Sequence, residues 1–258
     1  MEQRLRSPDG WLSVVGLAWL HAGDNSIGSD PTSDVVLPAS APAHLGTLKL
    51  HAETVTFVPL AAEISINDQP ACEQALHDDA HADGADIVRH GSVSFFVIKR
   101  GARIGIRIKD SDAPARQQFA GRRWFPIDER YRLNATFTPY DFPKPIEITN
   151  VLGDTVVEAS VGFVTFELDG THELVVVSRD QDQLFFVFRD ASAPHESYPI
   201  RFLSATLHDD HSVKLDFNRA YNPPCAFTPH ATCPMPPHEN VLPIAIRAGE
   251  RQNLIDHH

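Results

Sequence analysis

Strict alternation of apolar and polar residues is the most regular feature of this chain. Arg103–Lys109 alternates over seven residues, and Thr54–Val58 repeats the pattern over a shorter stretch. Because a period of two sends successive side chains to opposite faces, such segments predict half-buried strands of antiparallel sheets. Helical periodicity is nowhere sustained. The nearest approach is residues 2–20, where Ser7-Pro8 predicts the cap of one short helix.

The second half of the chain repeats the strand pattern. Its clearest hairpin joins Gly162–Leu168 to Leu174–Ser178 through Asp169-Gly170, a pair that supplies the positive φ values of a tight turn. Further strands are predicted at Ser92–Ile98, Tyr131–Phe137, Ile146–Ile148, Leu184–Phe188 and Ser212–Phe217.

A break in the strand pattern at Ser111–Ala115 separates two predicted domains. We predict an all-β fold. Residues 1–111 are expected to form a β-sandwich with a short N-terminal helix, and residues 112–258 a second antiparallel β-sandwich or barrel.

Composition and charge narrow the function classes. The chain is 42% hydrophobic and 22% charged, which is typical of an ordinary globular protein. Its net charge is −12, and no run of basic residues exceeds two, so a nucleic-acid partner is not expected. The apolar segment Trp11–Leu20 is shorter than the roughly 20 residues of a membrane helix, so no membrane partner is expected. We expect a cytoplasmic protein, and the sequence does not predict its oligomeric state.

Loop residues in the first half follow a recognisable order. Asn25–Asp30 is followed by Ser40, His44 and Asn67. In this order the N-terminal half resembles a degenerate forkhead-associated domain, a β-sandwich whose loops bind phosphopeptides. Ser29 stands where the phosphate-contacting Arg of that family lies, so the charge-assisted contact is missing and phosphothreonine binding is not expected.

Proline is concentrated near the C-terminus. Seven of the 20 prolines fall within residues 223–243, together with two of the three cysteines. The chain reads Asp216-Phe-Asn-Arg-Ala-Tyr-Asn-Pro-Pro-Cys-Ala226, then Cys233-Pro-Met-Pro-Pro-His-Glu-Asn240, then Ala248-Gly-Glu250. These motifs resemble the signature of domain-of-unknown-function family 1684, and shorter matches such as Trp124-Phe-Pro126 extend the resemblance over nearly the whole chain. The resemblance implies a family but no reaction.

The proline-rich segment, over residues 216–250, is expected to be a stiff loop that caps the second domain. Proline fixes φ and cannot donate a backbone hydrogen bond, and rigid loops on β scaffolds often carry binding groups. We hypothesise a pocket for a small-molecule ligand at this loop. The candidate binding residues are Arg219, Asn222, Cys225, Asn218, Asn240, Trp124, Arg189 and Asp190.

The chemistry of such a pocket stays open. Ligand binding and hydrolase-like or lyase-like catalysis both fit, because no motif for a cofactor is present and none is predicted. No catalytic base is identified, so the sequence does not decide whether the protein is an enzyme. One alternative is a non-catalytic protein–protein interaction module. The same residues also fit a purely structural role, in which asparagines tie the loop to its backbone and Arg219 pairs with Asp216 or Glu239.

Cys225 and Cys233 leave further alternatives open. A zinc site would add His230 and His238, but the spacing is not that of a zinc finger and a metal is not favoured. A thiol redox pair is a second possibility, and two free buried cysteines a third. The odd number of cysteines does not favour a disulfide scaffold.

Overall fold

The computed structural model of the protein describes residues 2–252 and confirms the all-β prediction. Two compact units are present, one ending at Ala120 and one beginning at Gly121. Within the described residues the α-helices are two single turns, Glu2–Leu5 and Pro114–Gln117. No helix of this part of the chain has the length and apolarity needed to cross a membrane.

Two sheets form the first unit. Its strands are β1 (Val14–Trp19), β2 (Gly23–Gly28), β3 (Val35–Val36), β4 (Gly46–His51), β5 (Thr54–Pro59), β6 (Ser65–Ile66), β7 (Gln69–Pro70), β8 (Gln74–Leu76), β9 (Val88–His90), β10 (Val93–Arg100) and β11 (Arg103–Asp110). One sheet has the order β1-β11-β10-β9-β6-β7 and the other β3-β2-β4-β5-β8.

Apolar side chains from both sheets meet in one core, so the first unit is a sandwich. Leu48 and Phe57 of the second sheet are fully buried with Phe95 and Ile106 of the first. The rings of Phe57 and Phe95 meet edge to face with centroids 5.6 Å apart. The strand β5 is half-buried, as its alternation predicts. The strand β11 is instead buried on both faces over residues 104–108, and its polar Arg107 is covered by the ring of Trp11.

The N-terminus differs from the prediction. The helix Glu2–Leu5 lies before Ser7-Pro8, so this pair follows a helix instead of capping one. The residue before a proline is disfavoured in the helical region, which is consistent with a helix that ends there. Residues 14–19, inside the window with the nearest helical periodicity, form β1 and pair with β11.

The second unit also contains two sheets. Its strands are β12 (Arg132–Thr149), β13 (Thr155–Glu167), β14 (Thr171–Val175), β15 (Ser178–Asp180), β16 (Gln183–Phe188), β17 (Arg201–Thr206) and β18 (Ser212–Asp216). The orders are β14-β13-β12-β18 and β15-β16-β17. The hairpin between β13 and β14 turns at Asp169 and Gly170, both with positive φ, as predicted.

The strand β12 merges two segments that the sequence separates. The predicted strand Tyr131–Phe137, apart from Tyr131, and the predicted strand Ile146–Ile148 fall within it, joined by a register shift between Pro139 and Lys144. This bulge carries the extra residues that interrupt the apolar pattern. Beyond it, β12 and the first half of β13 form a two-stranded arm.

The core of the second unit lies between its two sheets and is closed by the C-terminal loop. Phe166 and Leu174 of one sheet are buried with Phe186 and Leu203 of the other. The loop contributes a further set of buried residues to the same core: Phe217, Ala220, Leu242, Ile246 and Ala248. The prediction of a β domain capped by the proline-rich loop is thus confirmed.

Candidate functional site

The loop over residues 216–250, here called the signature loop, is irregular but built from defined turns. Single turns of 3₁₀ helix occur at Phe217–Arg219, Pro224–Ala226 and His238–Asn240. The second of them begins with proline, whose fixed φ suits the first helical position and whose missing N–H is not needed there. The prolines therefore shape this loop without the backbone ladder of a sheet.

A buried ion pair between Arg122 and Glu250 anchors the end of the signature loop. The Arg122 Nε lies 2.8 Å from Glu250 Oε1, and a second N–H of the guanidinium donates to Oε2. The two side chains are only 4% and 0% exposed. Glu250 Oε2 also accepts the backbone N–H of Asn222 at 2.7 Å, and the guanidinium lies 4.8 Å from the ring of Trp124. This ion pair therefore links the segment before β12, which contains Arg122, to Asn222 near the start of the loop and to Glu250 at its end.

A second buried ion pair, between Asp190 and Arg201, fixes the segment before Glu250. Both side chains are fully buried, with Arg201 Nη1 2.7 Å from Asp190 Oδ2. Arg201 also donates to the carbonyl oxygens of Ile246 and Ala248. Asp190 Oδ1 accepts the N–H of Ile246 at 3.0 Å. Burial lowers the pKa of Arg201, against the opposing effect of Asp190. Asp190, one of the predicted binding residues, thus links Arg201 to the backbone of Ile246.

Two asparagines of the predicted pocket form side-chain hydrogen bonds to backbone groups. Asn240 Oδ1 accepts the N–H of Val175 at 2.7 Å, and its Nδ2 donates to the carbonyls of Val175 and Val187. Asn218 exchanges hydrogen bonds with the backbone of Asp128. Their hydrogen bonds match the structural alternative raised by the sequence, in which asparagine satisfies irregular backbone.

The two predicted arginines lie at the surface. Arg219 is exposed at the end of a 3₁₀ turn, and Asp216, its predicted partner, pairs with Arg132 at 3.4 Å. The side chain of Arg189 is also exposed, while its backbone N–H donates to the carbonyl of Asn240. Neither guanidinium joins the buried polar groups of the loop.

Sequence reasoning missed the charged groups at the centre of this region. Glu250 closes the third signature motif, which is a local sign of its importance, but nothing local pairs it with Arg122, 128 residues earlier. Arg201 is the single charged residue at the start of a largely apolar strand. A lone charge beside apolar residues is a sign of a buried charge that the sequence did contain.

Cys225 and Cys233 are brought into contact within the signature loop. Both are free and buried, with 8% and 5% of their surface exposed. The backbone N–H of Cys225 donates to the Cys233 Sγ at 3.2 Å. The Tyr198 hydroxyl donates to the carbonyl oxygen of Cys225 at 3.0 Å, which adds a third chain segment to the site.

The environment of Cys225 favours its thiolate. A hydrogen bond from the Cys233 side chain lowers the pKa of Cys225, and one from Tyr198 acts in the same direction against the effect of burial. Burial raises the pKa of Tyr198, and the neighbouring Cys225 raises it further. Tyr198 is therefore a protonated donor at neutral pH.

The two histidines of the hypothetical zinc site differ in their exposure to solvent. His230 is half-buried, its backbone N–H donates to Thr228 Oγ1 at 3.2 Å, and burial lowers its pKa. His238 is exposed. Across residues 2–252, no group of three or more His, Cys, Asp or Glu side chains is arranged to hold a metal ion.

The tip of the β12–β13 arm supports the loop on the Cys233 side. The N–H of Val151 donates to the Cys233 carbonyl at 3.0 Å, and the N–H of Met235 donates to the Thr149 carbonyl at 2.8 Å. Cys233 is thereby held by backbone pairing on one side and Cys225 by the Tyr198 hydroxyl on the other.

Two open depressions are found elsewhere on the two units. One of about 480 Å³ lies at the β12 bulge around Tyr140, Phe142 and Phe163. The other, of about 490 Å³, lies in the first unit around Ile64 and Pro70. Neither is lined by a residue of the signature loop.

The comparisons with known proteins place the second unit in a family. Residues 117–251 match the family model described as "Protein of unknown function (DUF1684)". The chain belongs to this family. The family resemblance expected from the signature motifs is confirmed, and the matched range contains the whole signature loop.

Solved structures similar to parts of the chain include the following three. The chain is similar to an uncharacterized protein from gene locus rrnAC0354 of Haloarcula marismortui, solved by NMR, with 34% identity, a TM-score of 0.45, and coverage of 55% of this chain and 81% of that one. It is also similar to a forkhead-associated domain studied for phosphothreonine-dependent interactions, with 16% identity, a TM-score of 0.25 and coverage of 36% and 92%. A structure of the Rv0020c forkhead-associated domain matches at 18% identity, with a TM-score of 0.25 and coverage of 36% and 95%. No curated protein matches the chain.

Proposed function

We propose that the second unit of this DUF1684 protein carries a redox-active thiol pair, in which Cys225 and Cys233 interconvert between two thiols and one disulfide. The observation that supports this most directly is the 3.2 Å contact between the Cys225 N–H and the Cys233 Sγ, across eight residues of chain. A disulfide needs side chains already close together, because larger separations demand movement of the backbone. Oxidation would remove two electrons and two protons from the pair.

The surroundings of the thiols support the same proposal. Asn240 and Glu250 of the loop, and Asp190 outside it, are buried and form hydrogen bonds that link separate segments of the chain. Cys225 and Cys233 are the reactive groups enclosed by this frame. A rigid frame keeps the two thiols in contact and lowers the entropy lost when they react.

Reversible oxidation of the folded protein tests the proposal. The exposed third cysteine is first removed as Cys72→Ser, and the protein is incubated with diamide and then with dithiothreitol. Intact mass spectrometry should show the loss of two hydrogen atoms and their return, and peptide mapping should join Cys225 to Cys233. Cys225→Ser and Cys233→Ser serve as matched controls that cannot form the bond. If both thiols remain open to alkylation after diamide, the proposal fails.

Binding of a small polar molecule beside Trp124 is a second candidate. Within residues 2–252 the buried Asn222 Oδ1 accepts no hydrogen bond, although buried amide oxygens normally have a donor. The Trp124 ring lies nearby on Arg122 and remains 44% exposed, so it offers an apolar wall to a ligand. These two observations support a ligand at the part of the predicted pocket that contains Asn222 and Trp124.

Native mass spectrometry of gently purified protein tests the second candidate. A co-purifying small molecule should add mass to the wild-type chain and be lost from Trp124→Ala. Phe142→Ala, an exposed aromatic residue at the β12 bulge, is the control that should keep the added mass. Retention in Trp124→Ala would exclude this site. The interaction-module hypothesis stays a prediction.

A further inference from the structure

The arm beyond the bulge of β12, residues 144–160, is a two-stranded ribbon that exposes apolar side chains. Val156 and Val157 of β13 are 41% and 65% exposed, and Val151 and Leu152 are exposed at the turn of the arm. A two-stranded hairpin is at best marginally stable in water, and exposed apolar side chains that lie together mark interaction sites. The arm therefore has the features of a surface that a partner covers.

The pairing pattern shows which backbone groups of the arm point outward. The N–H of Asn150 donates to the Asp154 carbonyl at 2.8 Å, so every second pair along the ladder of β12 and β13 is hydrogen-bonded from there. Residues in the intervening pairs direct their N–H and C=O groups away from the partner strand and toward the outer edge. On β13 these residues are Thr155, Val157 and Ala159.

The outer edge of β12 is protected, whereas that of β13 is open. On β12, the Thr149 carbonyl accepts the N–H of Met235 at 2.8 Å, and Pro145 has no N–H to offer another strand. Within residues 2–252, the outward backbone groups of residues 155–159 have no hydrogen-bond partner, and all five residues are exposed. A row of unpaired N–H and C=O groups is a template for pairing with another strand.

The open edge can pair with the same edge of a second copy in one register without placing two acids opposite each other. Antiparallel pairing centred on Val157 uses all three outward positions and sets Glu158 opposite Val156 of the second copy. A centre at Val156 would set Glu158 opposite Asp154, and a centre at Glu158 would set that residue opposite itself. Like charges directly opposite destabilise a sheet, so the charges select the register centred on Val157. A two-fold contact requires such a match of one patch with itself.

We infer that the outer edge of β13 pairs antiparallel with the same edge of a second copy, about a two-fold axis at Val157. The two arms then form one four-stranded sheet in the order β12-β13-β13-β12, and the two Val157 side chains pack on each other. Because each copy carries a net charge of −12, repulsion between copies opposes the dimer, and added salt should strengthen it. The dimer does not depend on the proposed thiol chemistry.

Charges placed at the two-fold axis test the register. The full chain is studied in dithiothreitol by analytical ultracentrifugation over a range of concentrations, and the wild-type protein should pass from monomer to dimer. Val157→Lys and Val157→Glu each put like charges opposite each other, so each should raise the dissociation constant about tenfold. An equimolar mixture of the two variants should recover the dimer, because opposite charges then meet at the axis. Val36→Lys, at an exposed valine of the first unit, is the matched control and should leave the dimer unchanged.

Amide hydrogen exchange locates the contact. The N–H groups of Thr155 and Ala159 should exchange slowly in the wild-type dimer and rapidly in Val157→Lys, because pairing with the second copy protects them. Glu147, whose N–H points outward on the opposite edge of the arm, should exchange rapidly in both proteins. Circular dichroism of each variant confirms that it is folded.

Three results would overturn this inference. A wild-type protein that stays monomeric at every concentration excludes self-pairing and leaves the edge to a strand of another protein. A dimer that survives both single substitutions uses a different surface. A mixture of Val157→Lys and Val157→Glu that stays monomeric shows that Val157 does not meet itself at the axis. A dimer that weakens as salt is added would likewise contradict the pairing of two acidic copies.

Discussion

At the level of single residues, the second unit is defined by charges that are buried in pairs. Arg122 with Glu250 and Arg201 with Asp190 each place a guanidinium and a carboxylate out of water. Such a pair adds little net stability compared with apolar residues, but the loss of one member leaves an uncompensated buried charge. The cost of breaking a pair is therefore much larger than the benefit of having it.

Glu250→Gln tests this account of the loop anchor. The substitution leaves Arg122 charged and buried, so the free energy of unfolding should fall by about 3 to 5 kcal/mol. Urea unfolding followed by circular dichroism measures the change. Glu196→Gln, which breaks the exposed pair with Arg247, is the matched control and should alter stability far less, because solvent screens that pair. Equal losses in the two variants would contradict the anchoring role.

The same residues show the limit of sequence reasoning at this scale. The motifs located the loop and its two cysteines, and Asn222 and Cys225 proved to be buried there. The ion-pair partners lie far apart in sequence, and their meeting depends on tertiary packing that no local pattern records. Arg219 shows the converse, since its charge lies inside a long and specific motif and is nevertheless exposed.

At the level of elements, local rules predicted the regular strands well. The alternation of β5 and the Asp169-Gly170 turn are local features, and both appear as expected. The strand β11 forms where its alternation predicts a strand, but it is buried on both faces. The bulge in β12 was not predicted, because its prolines interrupt the apolar pattern and indicate the end of a strand. In the structure β12 pairs with β13 on both sides of the bulge. The turns of the signature loop likewise depend on packing against the core more than on propensity.

Gly249 is the backbone position on which the end of the loop depends most. Its φ is +78°, and a Cβ there would lie 2.5 Å from the Ala220 carbonyl oxygen. Gly249→Ala should therefore destabilise the protein by more than the roughly 1 kcal/mol of a strained φ alone. Gly153→Ala is the control, since Gly153 has φ +86° but open space around its Cβ. Thermal unfolding compares the two, and a similar change in both would show that the close contact is relieved at little cost.

At the level of the whole molecule, each of the two units has a hydrophobic core of its own within residues 2–252. The first is made from strands β2 to β6, strands β8 to β11 and connecting loops, and the second from residues after Gly121. Domains with a core of their own can in principle fold alone. The signature loop, both ion pairs and both thiols of the proposed site belong to the second unit.

A fragment of residues 121–258 should therefore fold and keep the thiol chemistry. We expect dispersed amide signals in its NMR spectrum, a cooperative urea transition and the same Cys225–Cys233 disulfide after oxidation. A shorter fragment that begins at Ile127 lacks Arg122, so it leaves Glu250 buried without its partner and should unfold at lower urea concentration. If the longer fragment is unfolded, the second core is not sufficient by itself. If the two fragments are equally stable, the connector before β12 contributes nothing, and the ion pair at the end of the signature loop is not what holds that loop in place.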